Sequence, residues 1–166
     1  GTDYAPNATI QMVSNVTLYA IWQDKAVVEG EYYAPVTSIS DLNSGDKILF
    51  VGLKDTDYYV NGGLTSDYLT ATKVSMSSGK IYLADNETAK PITLGTNSGK
   101  YTFEIGGKLI RALSGAKLGN GDSGDEKWDI SFSGDVANVV SNTSSNGKIF
   151  FNSGTPRFKT YTSSTM

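Results

Sequence analysis

The residues best placed to do chemistry in this sequence are aromatic and amide side chains rather than catalytic bases. Tyr58, Tyr59 and Tyr68 fall in one Gly-containing stretch together with Asn61, Asp57 and Asp67. Tyrosine faces stack on sugar rings and anchor interfaces, and amides and carboxylates hydrogen-bond hydroxyls. Tyr58, Tyr59, Asn61, Asp67 and Tyr68 therefore form a candidate ligand-binding set with the chemistry of a glycan site. The bland alternative is that alternating tyrosines pack a core and cover its rim. Trp128 opens a strand-like run and reads as core.

Other patterns carry less. The run Asn120-Gly-Asp122-Ser-Gly-Asp125-Glu126 offers oxygen ligands of the kind Ca²⁺ takes, yet it lacks the register of an EF-hand and consists of ordinary turn residues. A solvated loop is the favoured reading, and no metal or cofactor is expected. Asp55, Asp57 and Asp67 come nearest to a carboxylate cluster, but glycoside hydrolysis needs two acids facing one cleft. Gly62-Gly63 and Gly106-Gly107 follow strand-like runs without opening a helix, so they read as turns rather than phosphate loops. In TPRFKTYT, period two puts Arg157, Lys159 and Tyr161 on one face, either a plain polar surface or a contact to a neighbouring domain. The sequons at Asn7, Asn15, Asn86 and Asn142 are expected by chance in a chain this rich in Asn, Ser and Thr.

Absences narrow the function further. The chain has 0 His and 0 Cys, which removes the Ser–His–Asp triad, imidazole and thiolate metal ligands, thiol nucleophiles and disulfides. A net charge of −3 without a long basic run argues against nucleic acid and anionic membrane surfaces as partners. No run is long and apolar enough to cross a bilayer as a helix. The expectation is a non-enzymatic protein.

The elements that must position these residues are short strands. At 166 residues with 39% hydrophobic content and 18 Gly, the chain has the size of one domain plus an appendage. β-branched and aromatic residues alternate between Gly-, Asn-, Asp- and Ser-rich turns. The segment Val16 to Trp22 reads as a strand, residues 24–34 as a linker, and the region from Pro35 onward as strands separated by turns. KYTFEIGGKLIRAL reads as a hairpin closed at Gly106-Gly107. No window supports a long amphipathic helix. Three segments, opening at KILFVG, ITLG and WDISF, resemble one another loosely. The expected fold is all-β with many short antiparallel strands, arranged as a β-trefoil-like fold or as an irregular barrel or sandwich.

Two stretches resemble known families. NVTLYAIW is similar to the close of the Listeria–Bacteroides repeat, also called the internalin B-type repeat. VTSISDLNSGDKILFVG, WDISFSGDVANVVSN and GKIFFNSGTPRFKTYTSS resemble a β-rich accessory domain of exported Bacteroidetes multidomain proteins. That resemblance divides the chain into a repeat remnant (1–23), a linker (24–34) and a single β-rich domain (35–166). Members of the group usually close with a further strand, so the chain reads as a piece cut before it. The resemblance implies an extracellular or cell-surface setting in bacteria and no reaction. The expected role is an interaction or adhesion module with a glycan as the preferred ligand, whose partners would be a glycan, a host or cell-surface protein, or neighbouring domains. The alternative is a structural spacer with no ligand of its own.

Overall fold

A computed structural model describes residues 20–25, 32–83, 88–122 and 124–162. The strands are β1 (Ala20–Lys25), β2 (Tyr32–Val36), β3 (Lys47–Lys54), β4 (Asp57–Leu64), β5 (Leu69–Val74), β6 (Met76–Ser77), β7 (Lys80–Tyr82) and β8 (Ile92–Asn97). They continue as β9 (Lys100–Ile105), β10 (Lys108–Leu109), β11 (Arg111–Leu113), β12 (Lys117–Gly119), β13 (Trp128–Ser133), β14 (Val136–Ser141), β15 (Lys148–Asn152) and β16 (Arg157–Tyr161). Among the described residues the helical content is two single 3₁₀ turns, Ile39–Asp41 and Ser144–Asn146. The fold is all-β, and the strand pairs are antiparallel.

Tight turns set the pairing. Two residues join β3 to β4, β8 to β9 and β13 to β14, so the three loosely similar segments each open with a hairpin. At Ser98-Gly99 both φ angles are positive, 53° and 76°, the backbone of a type I′ turn whose twist matches the flanking strands. Gly106-Gly107 joins β9 to β10, as the sequence predicts. The predicted second strand of that hairpin then divides at Ile110, which is buried. Its N–H donates to the Phe103 carbonyl and its own carbonyl accepts from Trp128 Nε1. Past this anchor, β11 turns away to pair with β12.

The three hairpins acquire different neighbours, so they are not equivalent. Pairing runs β3–β4–β5–β16–β15–β14–β13–β9–β8 and returns from β8 to β3, which closes an irregular barrel. Beyond β3 the sheet continues outward through β1, β2, β7 and β6. The predicted strand Val16 to Trp22 lies mostly outside the described residues, but its end belongs to β1, which pairs with both β2 and β3. The strand region also starts ahead of Pro35, because β2 begins at Tyr32.

Two apolar clusters result. The larger one gathers Phe50, Phe103, Trp128, Phe151 and Phe158, with ring centroids 5.2 Å apart for Phe50–Phe103 and for Phe151–Phe158. The smaller one joins Tyr33 of β2 and Ile81 of β7 to Leu49, Val51, Val60 and Val74. β3 serves both: Ile48 and Phe50 enter the first cluster while Leu49 and Val51 enter the second. A strand covered on both faces reads as a continuous apolar run, as KILFVGL does. Gly52 extends this strand where a Cβ would fall inside the Phe151 ring, so a glycine is required by close approach alone.

Candidate binding surface

The predicted set does not assemble into one concavity. Tyr58 and Tyr59 are neighbours on β4 and point to opposite faces: Tyr58 packs on the smaller cluster, and Tyr59 on the larger, 5.5 Å from the Phe151 ring. Both are half-buried.

Asn61 is fully buried and its amide is spent on the backbone. Its Oδ1 accepts from the Phe50 N–H at 2.8 Å, and its Nδ2 donates to the Lys90 carbonyl at 2.6 Å. The reason lies in β3, whose one edge pairs with β8 at Lys47–Ile48 and with β4 from Val51 onward. Phe50 falls at the fork between those partners, and the Asn61 side chain supplies the acceptor that neither strand provides. The sequence reading of Asn61 as a sugar-binding amide is thereby corrected, because a buried, doubly bonded amide has no capacity to meet a ligand.

Asp67 and Tyr68 stand together in the turn between β4 and β5. Thr65 closes this turn: its N–H and hydroxyl both donate to the Tyr68 carbonyl. Asp67 pairs with Lys117 at 3.1 Å, and its carbonyl accepts from the Leu118 N–H. The Arg157 guanidinium lies over the Tyr68 ring, 5.4 Å from its centroid.

Of the acids considered for catalysis or calcium, Asp57, Asp67 and Glu126 are held in ion pairs. Asp57 pairs with Lys73 at 2.7 Å, and Glu126 with Arg111 at 2.6 Å. Asp55 is exposed at a turn. Burial raises the cost of ionising Asp125, yet N–H groups of Lys127 and Thr143 and the Ser141 hydroxyl outweigh it and hold the carboxyl below its ordinary range. Asp125 therefore secures the turn from which β15 departs.

The larger concentration of aromatic and cationic groups lies on the β15–β16 hairpin. Ile149, Phe151, Phe158 and Thr160 point inward, so Lys148, Phe150, Asn152, Arg157, Lys159 and Tyr161 share the outer face, all half-buried. Register sets Lys148 opposite Tyr161, Phe150 opposite Lys159 and Asn152 opposite Arg157. Lys148 Nζ sits 4.6 Å above the Phe150 ring, whose centroid is 5.9 Å from that of Tyr161. Tyr161 lies along the hairpin, and its hydroxyl accepts from Asn152 Nδ2 at 3.0 Å. The predicted face of Arg157, Lys159 and Tyr161 is thus present, and it is joined by Lys148, Phe150 and Asn152, which the sequence reading missed. The parity of GKIFFN was the available signal, since alternation must send one of the adjacent Phe150 and Phe151 outward.

A smaller aromatic pair sits on the outer layer. Tyr82 is 46% exposed, its ring 6.0 Å from Tyr32, and Lys80 Nζ lies 4.0 Å above the Tyr32 ring. Their separation in sequence hid them. No family model, curated protein or solved structure matches the chain.

Proposed function

We propose that this chain is a non-catalytic interaction or adhesion module of a bacterial surface protein and that it binds glycan. The observation that carries the reading is the outer face of β15–β16, where aromatic rings alternate with hydrogen-bonding and cationic groups on a rigid hairpin. Sugars are bound by such faces, their C–H surfaces against rings and their hydroxyls against polar neighbours. The bacterial, extracellular setting rests on the resemblance of the motifs quoted above. The carboxylates favour binding over hydrolysis, because Asp57, Asp67, Asp129 and Glu126 each face a cation.

Screening the 166-residue chain against an array of polysaccharides tests the proposal. Binding that is lost in Tyr161→Ala, with the variant still folded and unfolding cooperatively, is the expected result. Silence across the array overturns the glycan reading. The spacer alternative draws on one observation: Tyr58 and Tyr59 are committed to the two apolar clusters.

A further inference from the structure

Resting on the glycan reading, we infer that the β15–β16 face selects an anionic polysaccharide, one bearing carboxylate or sulfate groups, over a neutral one. Among the described residues Lys73, Lys100, Arg111 and Lys117 each hold a carboxylate. Of the cations with no ion pair, Lys148, Arg157 and Lys159 share one hairpin face, while Lys47, Lys54, Lys80, Lys90, Lys108 and Lys127 are spread over other segments. Asp67 is neutralised by Lys117, and Asp129 by Lys100 through two hydrogen bonds of 2.7 and 2.8 Å, while the Asp125 carboxylate at the base of the hairpin is occupied by the Lys127 and Thr143 N–H groups and the Ser141 hydroxyl. A chain of net charge −3 thus gathers unmatched positive charge on one hairpin face.

Arg157 adds direction to that charge. Its Nε is shielded from solvent and has no hydrogen-bond acceptor. The side chain as a whole is half-buried, so an anion meets the guanidinium through its remaining N–H donors, whose fork matches carboxylate and sulfate oxygens. The guanidinium also lies over the Tyr68 ring, a cation–π contact.

The dimensions favour a polymer over a free anion. From Lys148 to Asn152 the face runs about 13 Å, four steps of about 3.3 Å each. Cationic positions recur along this length between the rings of Phe150 and Tyr161, so repeated charges on a sugar chain meet repeated cations. Single-stranded nucleic acid also combines charge and stacking, but its binders use a basic groove that tracks a longer backbone. Three cations on an acidic protein fit it less well.

Isothermal titration of the chain with polygalacturonate, dextran sulfate, neutral xylan and an oligothymidylate decides the matter. Binding to either anionic polysaccharide, with little to xylan, is the expected result, and which of the two binds identifies carboxylate or sulfate. Lys148→Gln and Lys159→Gln should each weaken it by about 2- to 5-fold, as for loss of one solvent-screened ion pair. Lys108→Gln, an exposed lysine on β10 outside the face, should leave it unchanged. Raising the salt from about 0.05 M to about 0.5 M should weaken binding strongly, because half-exposed charges are screened. Equal binding to xylan, insensitive to salt, overturns the anionic preference and leaves the glycan reading standing. Equal loss in Lys108→Gln overturns the assignment to this face. Binding to the oligothymidylate alone, or to none of the four, overturns both readings.

Discussion

β4 and the β15–β16 hairpin carry the same kinds of residue, aromatic rings and an asparagine (Tyr58, Tyr59 and Asn61 on one, Phe150, Tyr161 and Asn152 on the other), and put them to opposite uses. Apolar clusters cover β4 on both faces, so Tyr58, Tyr59 and Asn61 become packing and a hydrogen-bonded brace. The hairpin meets the barrel core on one face, and the other is left to Lys148, Phe150, Asn152, Arg157, Lys159 and Tyr161. Residue type signals function only when coverage is known. Coverage depends on where β2 and β7 fold, far from β4 in sequence.

The sharpest way to break this contrast is through Asn61. Asn61→Ala leaves the Phe50 N–H and the Lys90 carbonyl without their bonds, and should cost about 2–4 kcal/mol, since each buried unsatisfied group costs about 1–3 kcal/mol. Urea denaturation measures this, and a loss below about 1 kcal/mol would mean that the fork is not braced as described. Tyrosine substitutions come next. Tyr59→Ala should lose about 2 kcal/mol of stability through removed packing on Phe151. Tyr161→Ala should lose less than about 1 kcal/mol, as an outer-face change, while abolishing binding. Reversed effects in the two variants would end the comparison.

The smallest expected effect is a pH dependence at the base of the hairpin. Asp125 keeps its charge to lower pH when folded than when unfolded, so the unfolded chain binds more protons over that interval. Its contribution is complete above the ordinary aspartate range and is lost as pH falls through the lowered folded value. Asp125→Asn should therefore be less stable near neutrality, and the difference from the parent should shrink in acid. A constant difference across the pH series would place the stabilisation elsewhere.

Much of the fold was legible in the residues. The runs VANVVSN, GKIFFN and RFKTYT read as the strands β14, β15 and β16, the last with its Arg157, Lys159 and Tyr161 face, and paired glycines mark the β9–β10 turn. Trp128 read as core, and it is fully buried. The candidate site was less legible. Asn61 looks like any polar strand residue until Phe50 and Lys90 are brought beside it, and Tyr32 and Tyr82 meet only through the pairing of β2 with β7. Local spacing reports the period of a strand but not what lies above it.

The closed pairing path has a kinetic consequence. The barrel is completed when β16 meets β5, joining Arg157 to Thr70 and Phe158 to Leu69. Contacts so distant along the chain must be made against a large loss of chain entropy, which places folding on the slow, millisecond-to-second side for small domains. Phe151 and Phe158, supplied by the last hairpin, also fill the space beside Phe50. A nascent chain must therefore have released β15 and β16 before this core can shut.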